Sequence, residues 1–265
     1  GPITIGSTHF EPTVSIGIAT GTIGSQGEAL VHDASLAMHQ AKDNGRDRCE
    51  FFLDSLAEEA QHRVQVEDGV RDGLLRGEFV PWFQPIVDLD DGRVTGYEAL
   101  VRWIKSDGTV VGPGDFLPVA ERTSLIVGLD LSVLAQAAAA LSTLPAPLHV
   151  AVNVSAATLA HLGYARTVLR ELESAGADPQ RLHLEFTETA LLAAKATSSI
   201  RQDMALLADA GIKWYVDDFG TGYSSIAHLR DLPVAGLKLD LSFTAGLGSS
   251  DLTCEHLAKA LAGLA

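Results

Sequence analysis

Five apolar segments of this chain each finish on polar residues that could do chemistry. They are Glu98 in YEALVRW, Asn153 in HVAVNVS, Glu185 in LHLEFTE, the adjacent Asp217 and Asp218 in KWYVDDFGTG, and Lys238 in GLKLD. A buried strand does not tolerate such groups without partners. The steps from Asn153 to Glu185 and from Glu185 to Asp217 are each 32 residues, the length of one strand–helix unit, so these groups recur at one level of successive strands. Period-2 alternation puts Leu100 and Arg102 on the face of Glu98, Ser155 on that of Asn153, Thr187 on that of Glu185 and Asp240 on that of Lys238. Oxygen donors without imidazole or thiolate suit a hard cation, Mg²⁺ or Mn²⁺, in preference to zinc. Adjacent Asp217 and Asp218 could serve two ions, one each, in the arrangement that clamps the attacking and leaving oxygens of a phosphodiester.

Singly, each residue also has a structural use. Ser155 and Thr187 can cap helices, Glu188 suits a helix N-terminus, Arg102 can pair a carboxylate, Lys238 can be a solvated end, and Asp217 or Asp218 can cap a helix or solvate a turn. Five strands ending in one coherent ligand set with a single lysine favour the metal site over five separate structural roles.

The elements that must position these groups read as follows. Residues 13–20 form a strand, 28–43 a helix ended by Asn44-Gly45, and Cys49–Leu53 a second short strand. Asp54 to Arg76 is a charge-rich helix or helix pair, broken by Gly77. Glu78–Leu89 and Arg93–Trp103 are strands joined at Asp90-Asp91-Gly92, an antiparallel opening. Strand then alternates with helix: Leu148–Ser155, Arg181–Glu188, Lys213–Asp218 and Gly236–Asp240 are strands, with helices at about 118–143, 156–175, 190–211 and 223–231. Alternation of this kind implies an α/β fold with a parallel sheet, open or closed into a barrel, at whose mouth the strand ends converge.

Composition narrows the function. A 265-residue chain that is 46% hydrophobic and 20% charged can bury a sizeable core. Its longest apolar runs fall short of the ~18 residues of a membrane span, and no leader is expected. Cys49 and Cys254 match no metal or redox spacing and read as inert packing thiols of a reducing cytoplasm. A net charge of -15 argues against a nucleic-acid polymer as partner, because a polyphosphate needs Lys and Arg to replace its counterions. A small anionic substrate is compatible with that charge if a metal cation offsets the acids locally.

Two resemblances carry the reading further. SIGIAT, AMHQAKDNGRDR and the following FF resemble the C-terminal end of a GGDEF domain, the family that makes cyclic di-GMP, without that family's signature loop. EALVRW (Glu98–Trp103) resembles the signature of EAL domains, the cyclic di-GMP phosphodiesterases. The similarity extends through FQPI (Phe83–Ile86), PGDFLPVAE (Pro113–Glu121), VNVS, EFTE, DDFGTGYSS (Asp217–Ser225) and KLD. This divides the chain into a GGDEF remnant (1–53), a helical linker (54–76) and an EAL domain (77–265), a TIM-like barrel with an antiparallel first strand.

The resemblance implies that Glu98, Asn153, Glu185 and Asp217 hold one Mg²⁺ or Mn²⁺ and Asp218 a second. It also implies that Lys238 positions the nucleophilic water, and that Gln84, Leu100 and Arg102 contact the dinucleotide. Asp240, on the face of Lys238, is placed with these substrate contacts. The implied reaction opens cyclic di-GMP to linear pGpG. Phe219–Ser225 resembles the family's loop that couples metal binding to dimerisation, so a homodimer is expected, in a cytoplasmic protein whose parent could be membrane-tethered upstream. The chain stops at Ala265, after the sixth barrel strand, with no counterpart of the family's seventh strand and its glutamate or of the eighth and its glutamine. That departure keeps a second function in view: an incompetent EAL module that binds cyclic di-GMP or a protein partner as a receptor.

Overall fold

The computed structural model describes residues 3–5, 8–21, 26–188, 190, 197–220 and 232–244. The chain divides into two compact units, Gly1–Gly69 and Val70–Ala265.

In the first unit, strands β1 (Ile3–Ile5) and β2 (Thr8–Phe10) pair antiparallel, and β3 (Ile16–Ile18) and β4 (Cys49–Phe51) pair parallel across helix α1 (Gly27–Asp43). A Cβ on Gly17 of β3 would lie 2.0 Å from the Ala34 carbonyl oxygen and 2.2 Å from the Met38 nitrogen, so only glycine lets α1 lie this close to the strands. Cys49 is exposed, not packed as expected. It belongs to a two-stranded sheet in which alternate residues turn towards solvent. The charged stretch that follows is one continuous helix, α2 (Asp54–Arg76), which runs from the first unit into the second.

The second unit opens with the expected hairpin. Strand β5 (Phe79–Val87) pairs antiparallel with β6 (Val94–Ile104), from Phe79 opposite Trp103 to Val87 opposite Val94. From β6 onwards the main strands pair parallel in chain order: β8 (His149–Asn153), β9 (Leu182–Thr187), β10 (Lys213–Phe219) and β11 (Val234–Leu239). The short β7 (Val110–Val111) adds antiparallel to β6. Parallel strands laid side by side in sequence order, joined through helix from β6 as far as β10, are the winding of a TIM-like barrel.

Two expected helices are each split. The stretch at 118–143 is α3 (Pro113–Glu121) followed by α4 (Leu125–Thr143), and that at 156–175 is α5 (Ala156–Leu159) followed by α6 (Tyr164–Ala175). Pro113 starts α3 where its missing N–H costs nothing. Thr123 separates α3 from α4, its Oγ1 donating to the Ala120 carbonyl at 3.0 Å and accepting from the Leu125 nitrogen at 3.4 Å. Gly163, at φ 78°, makes the second break. Helix α7 (Ser198–Asp209) and the short α8 (Leu241–Thr244) complete the described elements. The helix expected at 223–231 lies outside the described residues.

Alternation along the strands sorts the side chains. Val150, Val152, Leu182, Leu184, Phe186, Trp214 and Val216 are buried. Trp214 packs edge-on to Phe186 at 5.8 Å and donates its indole N–H to the Met204 carbonyl of α7 at 3.1 Å. Helix α4 alone among the described helices is long and apolar enough to cross a membrane, yet its Ile126, Leu129, Val133, Leu134, Ala137, Ala138 and Leu141 are buried. Phe79, Trp103 and Phe116 form an aromatic cluster with centroids 5.2–5.9 Å apart. The opposite face of the strands carries His149 stacked on His183 at 3.9 Å, with Tyr215 at 5.0 Å from His183. Gly96 makes room for the first ring, since a Cβ there would lie 2.6 Å from His149. Beyond this layer, towards the strands' C-terminal ends, lie the polar groups.

Candidate metal centre

The parallel register sets Glu98 beside Ala151, Asn153 beside Glu185, and Asp217 beside Thr187. Carboxylate oxygens of Glu98, Glu185 and Asp217 all lie within 4.8 Å of one another. The Lys238 Nζ reaches over from β11 and donates to all three, at 3.1 Å to Glu98 Oε2, 2.5 Å to Glu185 Oε2 and 3.1 Å to Asp217 Oδ2. Asn153 Nδ2 donates to Glu98 Oε1 at 2.9 Å. Four strands beyond β6 thus bring Asn153, Glu185, Asp217 and Lys238 to Glu98.

Three acids gathered about one ammonium have a clear electrostatic logic. Burial pushes the Glu185 carboxyl up to about 7 despite the pull of Lys238, and the charges of Glu98 and Asp217 add to the rise. Burial also works against the Lys238 charge, but Glu185, Glu98 and Asp217 outweigh it and hold the ammonium above its usual range. For this pair the lysine therefore stays charged. The site is built for positive charge, and its donors fit a hard divalent ion: carboxylate oxygens close enough to share one centre, with an amide beside them.

Asp218 enters by a different route. Val216 pairs with Leu237 and Phe219 with Leu239, so Asp217 and Asp218 together oppose the single residue Lys238. This is a β-bulge, uncommon between parallel strands. Asp218 occupies it at φ 53°, a left-handed conformation that aspartate tolerates better than most side chains. Strict alternation would send Asp218 to the face opposite Asp217, whereas the bulge re-aims it. Its carboxyl is pushed up by burial and by Asp217, Asp240 and Glu98, while Lys238 pulls it down. Asp218 stands outside the tight triplet but within its field.

The expected substrate contacts line the wall above. Gln84 lies directly opposite Glu98, and Leu100 opposite Trp82. The Arg102 guanidinium sits over the Trp82 ring, 5.5 Å from its centroid, and donates to the Val101 carbonyl at 2.8 Å. Asp240 caps α8, accepting from the Ser242 nitrogen at 2.9 Å, and hydrogen bonding from the Ser242 side chain, then from its backbone, holds the carboxyl below the usual range.

Two further acids support the site, Asp130 outside any motif and Glu188 at the end of EFTE. Asp130 of α4 accepts from the Ser155 nitrogen at 2.9 Å and from Thr158 Oγ1 at 2.7 Å, which anchors the turn directly after Asn153. Burial pushes its carboxyl up against those bonds. Its signal in the sequence is a lone acid in the apolar stripe LIVGLDLSVL. Ser155 itself is a helix cap, its Oγ accepting from the Thr158 nitrogen at 3.2 Å. Glu188, buried at the end of β9, accepts from the Gly220 nitrogen at 3.3 Å and ties that strand to the end of β10.

Known proteins share this arrangement of sequence and fold. The EAL domain family matches residues 67–265. The cyclic di-GMP phosphodiesterase NbdA of Pseudomonas aeruginosa is 36% identical over 272 residues, covering 100% of this chain and 34% of NbdA. The bifunctional diguanylate cyclase/cyclic di-GMP phosphodiesterase MucR of the same organism is 36% identical over 248 residues, covering 91% of this chain and 36% of MucR. The chain thus spans about a third of the length of these curated relatives. The structure of the MucR phosphodiesterase in its c-di-GMP complex superposes with a TM-score of 0.69 at 33% identity, over 76% of this chain and 81% of that one. The FimX EAL domain from Pseudomonas aeruginosa bound to c-di-GMP gives 0.65 at 23% identity, over 75% and 79%, and speaks for the fold alone. The chain belongs to the EAL domain family.

Proposed function

We propose that the second unit is a divalent-metal-dependent phosphodiesterase that opens one phosphodiester of cyclic di-GMP to give linear pGpG. The observation that carries this is the triplet of Glu98, Glu185 and Asp217 closed around the Lys238 ammonium. Glu98, Asn153, Glu185 and Asp217 would hold one Mg²⁺ or Mn²⁺, and Asp218 a second. Bound there, the ions would supply charge stabilisation at the phosphoryl oxygens and a water of lowered pKa. Lys238 holds the nucleophilic water in line and bears part of the charge that develops on phosphorus-bound oxygen. Gln84, Leu100, Arg102 and Asp240 position the dinucleotide. The water oxygen bonds to phosphorus and the P–O3′ bond breaks, leaving a 5′-phosphate at one end of pGpG and a free 3′-hydroxyl at the other. No covalent enzyme intermediate is needed. The names of NbdA and MucR support the substrate. Pairing of two copies through Phe219–Ser225, of which residues 221–225 lie outside the described residues, belongs to the same reading.

The test is turnover. Protein is incubated with cyclic di-GMP and Mg²⁺ or Mn²⁺, and pGpG is followed by chromatography beside Glu98→Ala. Production of pGpG that is lost in the variant supports the enzyme. Tight binding with no pGpG under either metal assigns the chain to the receptor class instead.

A further inference from the structure

One aromatic side chain at the mouth has no role in the chemistry above. Trp82 is 50% exposed, while the chain's other two tryptophans, Trp103 and Trp214, are buried. Its place in the fold is well defined. Strand β6 runs from Glu98 through Leu100 to Arg102 towards the strands' C-terminal ends. The antiparallel β5 sets Gln84 opposite Glu98 and Trp82 opposite Leu100. Directly opposed residues share a face, so Trp82 stands on the face of the metal ligands, one pleat or about 7 Å beyond Gln84. The Arg102 guanidinium over the ring, itself bonded to the Val101 carbonyl, holds the indole in place. An indole left half open in this position forgoes part of its burial energy, and the open surface is flat, apolar and electron-rich.

We propose that Trp82 is the stacking platform for one guanine of the bound cyclic dinucleotide. This rests on the reading of the site as one that takes cyclic di-GMP. A base can extend about one pleat from its own phosphate, and Trp82, opposite Leu100, stands about that far from Glu98 on the same face. Base–aromatic stacking is worth about 1–3 kcal/mol per base, or roughly 5- to 150-fold in affinity. The antiparallel first strand thereby gains a purpose. By running against its neighbours it presents β5 residues before Gln84, not after it, to the mouth.

The experiment measures cyclic di-GMP binding by equilibrium dialysis, and quenching of tryptophan fluorescence, for the wild type, Trp82→Ala and Trp82→Phe. Expected results are a dissociation constant raised about 10- to 100-fold in Trp82→Ala, near-native affinity in Trp82→Phe, and quenching in the wild type that Trp82→Phe abolishes. In turnover, Trp82→Ala raises KM and leaves kcat little changed. Native affinity in Trp82→Ala, with the wild type binding normally, overturns the stacking role and leaves the substrate reading intact. Absence of binding by the wild type itself overturns both. Thermal unfolding of the two variants at the wild-type midpoint shows that any loss is local.

Discussion

The Asp218 backbone nitrogen donates to Asp217 Oδ1 at 2.9 Å, closing a bulge in which two consecutive carboxylates oppose the single residue Lys238. Asp218 pays for this with φ 53°. Backbone and carboxylate can therefore be separated by mutation. Asp218→Gly keeps the left-handed turn without strain and removes the carboxylate, whereas Asp218→Ala adds a conformational cost of about 1–2 kcal/mol. We expect both variants to lose on the order of 100-fold in Mn²⁺-dependent turnover, with only Asp218→Ala also less stable to urea. Activity retained in Asp218→Gly would show that the second carboxylate serves the turn alone.

Lys238 neutralises the acids when no metal does so. Removing it leaves Glu98, Glu185 and Asp217 converging without a counter-charge. Lys238→Met is expected to lose about 2–3 kcal/mol in metal-free urea unfolding, a figure discounted from fully buried pairs because the lysine is 30% exposed. Saturating MnCl₂ should recover more stability in the variant than in the wild type, since a cation there replaces the lost ammonium. Equal stability of the two metal-free proteins would contradict the clamp.

At the start of β5, Glu78 sets a pH dependence. Hydrogen bonds from Arg76, then Trp103, with Ser106 adding to them, outweigh burial and hold its carboxyl at about 2 against an ordinary 4.5. A depressed carboxyl stabilises fully above its unfolded value and loses that contribution as pH falls towards the folded one. Urea midpoints should therefore decline from pH 4.5 towards 2, and Glu78→Gln should flatten that decline. An unchanged slope in the variant would place the acid sensitivity elsewhere.

How much of this the sequence discloses depends on what each residue answers to. Glu98, Asn153, Glu185, Asp217 and Lys238 are legible because strand periodicity points at all of them, and the 32-residue step singles out Asn153, Glu185 and Asp217. The hairpin is legible from its Asp-Asp-Gly turn. The bulge at Asp218 is not, because it depends on the register with β11 and not on local sequence. Nor are the breaks at Thr123 and Gly163 within long helical patterns, where a few hydrogen bonds and one positive φ decide the outcome. Asp130 acts on the turn at Ser155 from 25 residues away, a distance over which periodicity carries no information. The exposure of Cys49 follows from the small size of its two-stranded sheet, which composition does not reveal.

The most direct test of the metal centre is anomalous diffraction from crystals soaked in MnCl₂. The expected result is a manganese peak bounded by Glu98, Asn153, Glu185 and Asp217, with Lys238 displaced from the triplet and a second peak at Asp218. Lys238 still bonded to all three carboxylates at saturating Mn²⁺, with no peak among them, would contradict it.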